Sequence, residues 1–180
     1  MTKVSDIANI IEVFAPLQLC FDGDNSGLCV GNMSNSVSGI VVCEDATLNV
    51  LKEAVSCNCN LVISHHPPIF TKAKRFLTGS QDCDIINYAL CNNLNLYSAH
   101  TNLDACADGI NCRLCEMFGL EVLSGDGEFW RIAKAKQIFT LKQFEQMVAK
   151  VLEDCHTKTV GKLDALCQKI AVASGSGGRD

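Results

Sequence analysis

Histidine is scarce in this chain and unevenly placed. Of the four histidines, two stand side by side in Ser64-His65-His66-Pro67-Pro68, and a third opens His100-Thr101-Asn102-Leu103-Asp104. Imidazole ligates transition metals when neutral and changes charge near neutral pH, so these residues suit metal binding or proton transfer. Neighbouring residues of a regular strand face opposite sides. His65 and His66 can therefore meet in one pocket only where a strand is ending, and Pro67 and Pro68 supply that end. Each ring could then serve one ion of a pair about 3.5–4 Å apart, bridged by a carboxylate or water. Asp104 is the natural nearby carboxylate, and Asn102 could orient it or a bound water. Positions 100 and 104 share a face if their segment is helical.

Plainer accounts exist for each of these residues. A buried histidine is usually a packed, hydrogen-bonded side chain, but a His-His pair closed by Pro-Pro has no evident core role and costs desolvation unless satisfied. Ser64 beside His65 invites a nucleophile reading, yet no Gly-x-Ser-x-Gly turn surrounds it and a strand interior exposes it poorly. His156 follows a polar run and is expected at the surface.

The elements that must position these residues can be read from hydrophobic spacing. Val4, Ile7, Ala8, Ile10, Ile11 and Phe14 recur at helical intervals, and Pro16 stands where that helix should stop. Residues 22–25 form a polar turn before a short strand at 27–31. The run 39–43 is continuously apolar, as in a strand buried on both faces, and Asp45 is an N-cap candidate for a following helix. Strand 61–64 completes a βαβ unit, so these two strands should be parallel. A second helix and the strand 94–99 repeat the pattern, and a further helix stops at Gly119. Residues 129–139 look extended, Thr140-x-x-Gln143 has capping-box spacing for a helix with Leu141, Phe144, Val148, Val151 and Leu152 inward, and 169–173 reads as a last strand before Ser174-Gly175-Ser176-Gly177-Gly178. This alternation predicts one α/β domain over 1–180, a three-layer α/β/α arrangement around a mostly parallel sheet. In such sheets ligands bind at the carboxyl ends of the strands, where His65, His66 and His100 fall.

Bulk properties narrow the function classes. The chain is 48% hydrophobic and 19% charged, an ordinary globular composition. Its net charge of -5 and its scattered Lys and Arg predict no nucleic-acid partner. Neither a leader peptide nor an apolar run of roughly 20 residues is visible, which predicts a cytoplasmic protein without a membrane partner. Twelve cysteines in such a chain are expected to be reduced. Cys112-x-x-Cys115 and Cys57-x-Cys59 could be metal half-sites, but no second pair of matching spacing accompanies either, and small buried hydrophobes are the simpler reading. The terminal Ser/Gly loop lacks a Gly-Lys-Ser/Thr ending and reads as a plain turn rather than a phosphate loop.

Five segments in order resemble the Nif-three-like dinuclear metal centre family, some members of which are described as GTP cyclohydrolase I type 2 homologues. They are Asp24-Asn25-Ser26-Gly27-Leu28-x-Val30-Gly31, Asp45, Ile63 to Phe70, Tyr97 to Asp104, and Ser174 to Gly178. The resemblance implies a mixed-sheet α/β fold, a toroidal homohexamer and two divalent ions per subunit; imidazole and carboxylate ligands suit zinc, iron and manganese alike. It makes His65, His66 and Asp104 metal ligands and His100 a neighbour that moves protons. It also implies a further His and Glu, four residues apart and beyond the Ser/Gly loop; no His-x-x-x-Glu occurs in these 180 residues, so the chain is expected to lack the family's C-terminal segment.

Two functions fit this reading. One is a metal-dependent hydrolase acting on a small molecule, a nucleotide or another phosphate- or amide-bearing metabolite. The other is a non-catalytic partner-binding or metal-handling protein.

Overall fold

The computed structural model describes residues 1–71, 74–153 and 156–176. They divide into two compact units, Met1–Leu103 and Asp104 onward.

The first unit carries a four-stranded sheet in the order β1-β4-β3-β2, with β1 at Gly27–Val30, β2 at Ile40–Asp45, β3 at Leu61–His66 and β4 at Asn95–Ser98. β2, β3 and β4 are parallel, as two βαβ crossovers require, and β1 joins antiparallel to β4. Alternate residues of the central strands face two separate cores. Val62 and Leu96 pack with Leu51 and Ala54 of α2 (Leu48–Ser56) and with Ile85 and Ala89 of α3 (Gln81–Cys91). Leu61 and Tyr97 pack instead with Val4 and Ala8 of α1 (Val4–Phe14). The result is the expected layering of helix, mixed sheet and helix.

Three local expectations are corrected. On α1 the inward stripe is Val4, Ile7, Ala8 and Ile11, while Ile10 and Phe14 lie a further step around the helix and are exposed. β2 is an edge strand rather than one buried on both faces: Val41 and Cys43 meet the α2/α3 core, but Val42, on the face that α1 covers at β3 and β4, is 75% exposed. Asp45 does not cap α2. It ends β2, and Thr47 two residues later accepts from the Val50 amide.

Two features mark the opposite ends of the sheet, the first of them the histidine end. β3 runs two residues past the expected 61–64, because β2 also extends and pairs Asp45 with His66. On the other side, Gly31 has φ +115° and sits against Asn95, where a Cβ would come within 2.4 Å of the Asn95 amide oxygen. That close approach lets Asn95 accept from the Asn32 amide and from Asn35, closing the turn after β1.

The second unit has an antiparallel sheet in the order β5-β6-β7, with β5 at Leu120–Ser124, β6 at Arg131–Thr140 and β7 at Leu166–Val172. Its core joins Cys115 of α5 (Ile110–Met117) to Leu120, Ala133, Ala135, Ile170 and Val172, with Phe144, Met147, Val148 and Val151 of α6 (Leu141–Val151) against it. The Thr140/Gln143 capping box forms as expected, Gln143 Oε1 accepting from the Thr140 amide and Thr140 Oγ1 from the Gln143 amide. Leu152 lies just past the helix end and is exposed; Met147 takes the inward place. In the Ser/Gly loop, Gly177 and Gly178 lie outside the described residues.

Cys112 and Cys115 are both buried on α5, one accepting from Arg131 and the other in the core, where burial pushes the Cys115 thiol up. A thiol held protonated is a poor metal ligand, which agrees with the packing reading. Eleven described cysteines are free thiols. No helix among the described residues is long and apolar enough to cross a membrane.

Candidate metal centre

His65 and His66 are the last two residues of β3, and His100 follows β4 by two residues. Parallel neighbours end together, so all three rings arrive at one end of the sheet. The ring centroids lie 4.9 Å (His65–His66), 5.3 Å (His65–His100) and 5.7 Å (His66–His100) apart. One potential ligand atom from each ring lies within 4.8 Å of those from the other two.

Hydrogen bonding decides which nitrogen each ring offers. His65 Nδ1 lies 2.9 Å from the Ala99 carbonyl oxygen, which only accepts, so Nδ1 carries the proton. His66 Nδ1 lies 2.8 Å from Asp45 Oδ1 and His100 Nδ1 lies 2.7 Å from Asp24 Oδ1, and a carboxylate likewise only accepts. In its neutral form each ring therefore leaves Nε2 as the bare lone pair. An outer acceptor that fixes the tautomer of a metal-binding imidazole is a recurrent feature of such sites.

The two carboxylates sit in opposite environments. The Asp24 side chain is 1% exposed and that of Asp45 is 61% exposed. Asp24 Oδ1 also accepts from the Asn25 amide at 2.8 Å, and Oδ2 accepts from Ser26 Oγ at 3.0 Å, from the Thr101 amide at 3.2 Å and from the Thr101 hydroxyl. Burial alone would raise its pKa, but the hydrogen bonds from Thr101, His100 and Asn25, together with attraction to the protonated form of His100, prevail and hold it at about 2.

Beside His66 a groove of about 340 Å³ is lined by Asp45, Thr47, His66, Pro67, Pro68 and Asp82, among others. Its size is within the range of small-molecule sites. Ser64 is buried, donates to the His66 carbonyl and is hydrogen-bonded to Ser98, which makes it a support beneath the histidines rather than a nucleophile.

Sequence reasoning paired Asn102 with Asp104. The fully buried Asn102 instead donates at 2.7 Å to the Ala15 carbonyl at the end of α1. Asp104 lies in the short helix α4 (Thr101–Ala105), where it begins the second unit, and its Oδ1 accepts from Ser174 Oγ at 3.0 Å. Asp24 and Asp45 were passed over as site residues. The one available signal was that both fall in the segments carrying the family resemblance.

A mixed α/β sheet whose strand ends converge three imidazoles with free Nε2 atoms defines a candidate metal protein. The chain belongs to the Duf34/NIF3 (NGG1p interacting factor 3) family, whose model matches residues 2–180. It is 37% identical over 188 residues to a GTP cyclohydrolase 1 type 2 homolog of Clostridium acetobutylicum, covering 97% of this chain and 69% of that protein. A homolog of the same name from Clostridium perfringens is 31% identical, with 97% and 70% covered. Among solved structures, a Bacillus cereus protein related to NIF3 superposes with a TM-score of 0.87 at 20% identity, covering 99% of this chain and 78% of that one. Reduced HcgD from Methanocaldococcus jannaschii matches with a TM-score of 0.73 at 31% identity, covering 83% and 60%.

Proposed function

We propose that this chain is a divalent-metal-binding protein and a metal-dependent hydrolase of a small molecule. The observation that carries the reading is the convergence of three imidazoles, each with Nδ1 already donated and Nε2 left free. Three neutral imidazoles fit zinc and iron, and a carboxylate beside them would extend the fit to manganese. His65 and His66 would hold the ions, with Asp104 as the carboxylate that the family resemblance assigns. When bound, divalent ions supply Lewis acidity and the activation of water near neutral pH.

The remaining work falls to the protein's own groups. With its Nδ1 proton donated to Asp24, His100 can take a proton at Nε2, and the adjacent carboxylate stabilises the imidazolium that results. The groove beside His66 supplies room for the part of a substrate that does not react. Two relatives carry the name GTP cyclohydrolase 1 type 2 homolog, which makes a nucleotide one substrate class to screen. The homohexamer implied by the family resemblance and the cytoplasmic location expected from the sequence belong to the same proposal.

Elemental analysis and titration calorimetry with Zn²⁺ and Mn²⁺ test it, followed by a hydrolase screen on the loaded chain. His65→Ala and Asp104→Ala should each lower the bound metal. Metal uptake that neither variant alters would place the ions elsewhere. Retention of metal without turnover on any substrate would leave a metal-handling or partner-binding protein.

A further inference from the structure

Five donors converge on the Asp24 carboxylate: the backbone amides of Asn25 and Thr101, the hydroxyls of Ser26 and Thr101, and His100 Nδ1. A carboxylate offers about four lone-pair positions, so these donors leave no oxygen free to ligate an ion. The donors come from both ends of the site. Asn25 and Ser26 belong to the turn before β1, whereas His100 and Thr101 begin the segment after β4. Ser26 Oγ in turn accepts from the His100 amide at 3.3 Å, and Thr101 Oγ1 accepts from the Phe21 amide. Asn25 Nδ2 donates at 2.6 Å to the carbonyl of Ile69, just past the His-His-Pro-Pro segment. The turn is thus tied to the two segments that bear the histidines.

We propose that Asp24 is a positioning residue, saturated and therefore not a ligand, that fixes His100 in the Nδ1–H tautomer and aims its Nε2 into the cluster. The inference rests on the proposed metal reading for its purpose but not for its geometry. Asparagine at position 24 would keep one acceptor oxygen while turning an NH₂ group toward donors that need acceptors. With the NH₂ toward His100, Nδ1 must accept and the ring takes its other tautomer; with it toward Ser26 and Thr101, the NH₂ opposes the Thr101 amide and His100 keeps only a neutral acceptor, so the preference for Nδ1–H weakens either way.

The test is ¹⁵N NMR of the imidazole nitrogens on the chelator-treated chain at one alkaline pH, where protonated and bare nitrogens are resolved by shift. The native chain should show His100 with Nδ1 protonated and Nε2 bare. Asp24→Asn should yield mixed tautomers for His100 while His65 and His66 keep theirs. Thr101→Val, which leaves the carboxylate but removes one of its donors, should give a smaller shift in the same direction and covers the case in which Asp24→Asn fails to fold. A folded Asp24→Asn with His100 still in a single Nδ1–H form overturns the proposal, as does an unshifted Thr101→Val should Asp24→Asn not fold. A parallel Co²⁺ titration of the native chain, read by visible absorption, judges the metal reading separately. Absence of a Co²⁺ signal defeats that reading and leaves the tautomer result standing.

Discussion

Asp24 and Arg131 present the same physical problem with opposite signs: each is an ionisable side chain withdrawn from water, one in each compact unit. Both are satisfied mainly by neutral hydrogen bonds. The Arg131 guanidinium donates to the carbonyls of Ala105, Cys106, Gly125, Glu128 and Trp130, and its Nε donates to Cys112 Sγ at 3.3 Å. Its nearest carboxylate, on Asp126, is 3.9 Å away and 75% exposed, and adds little. The difference lies in what surrounds each charge. Arg131 is enclosed by main chain and a buried thiol, whereas the Asp24 shell includes an imidazole with a free lone pair. The first arrangement pins loops together, and the second transmits orientation to a reactive group.

The largest effect should come from Arg131. In Arg131→Met the carbonyls of Ala105, Cys106 and Gly125 keep a second donor, from the amides of Gly127, Gly109 and Glu128 respectively. The deficit therefore falls on the part-buried carbonyls of Glu128 and Trp130, each near the lower end of about 1–3 kcal/mol because both residues are exposed. A total near 3 kcal/mol should appear as a lowered denaturation midpoint, with no change in the tautomers of His65, His66 or His100. A midpoint unchanged from the native chain would mean that the carbonyl cage is not structural.

Asp24 should show itself next, through acid stability. Its pKa falls from 3.8 to about 2 on folding, so between those values the unfolded chain binds more protons and stability rises with pH. The contribution is fully present above about 3.8 and is lost as pH falls through about 2. At 1.36 kcal/mol per pH unit the shift corresponds to roughly 2 kcal/mol. Denaturant titrations of the metal-free chain across this window should show a sloping acid limb, flatter in Asp24→Asn. Parallel limbs for the two proteins would show that the carboxylate shell does not persist in solution.

How far these sites were legible follows from the range of the interactions that make them. Local signals worked: the α1 stripe ending before Pro16, the Thr140/Gln143 box and the βαβ spacing each depend on residues a few positions apart. The three histidines were legible as strand-end residues, because parallel order brings such ends together. Asp24 was not, since its bond to His100 spans 76 positions and an acidic residue in a polar turn reads as solvated surface. β2 was misread because a continuous apolar run reports apolarity and not what covers it; Val42 faces outward despite its type. β5 was missed although Leu120 is buried and Glu121 exposed, because five residues directly after the Gly119 stop give too short an alternation.

The smallest effect should come from Asp45, and it sharpens the contrast with Asp24. Both carboxylates accept an Nδ1–H from a cluster histidine at nearly equal distance, 2.8 Å for His66 and 2.7 Å for His100. If distance alone set the coupling, Asp45→Ala and Asp24→Ala would perturb their histidines equally. Exposure argues otherwise, because the side chains of His66 and Asp45 are 46% and 61% exposed and water can take over the accepting role. The parallel pairing of Asp45 with His66 also keeps the two backbones in place after the side chain is cut. Asp45→Ala should therefore change stability by no more than about 0.5 kcal/mol, as surface substitutions usually do. It should leave His66 mostly in its native tautomer, whereas Asp24→Ala should mix the tautomers of His100. ¹⁵N NMR on the two variants decides the matter. A larger tautomer change in Asp45→Ala would show that the exposed carboxylate, rather than the buried one, is the stronger hold on its histidine.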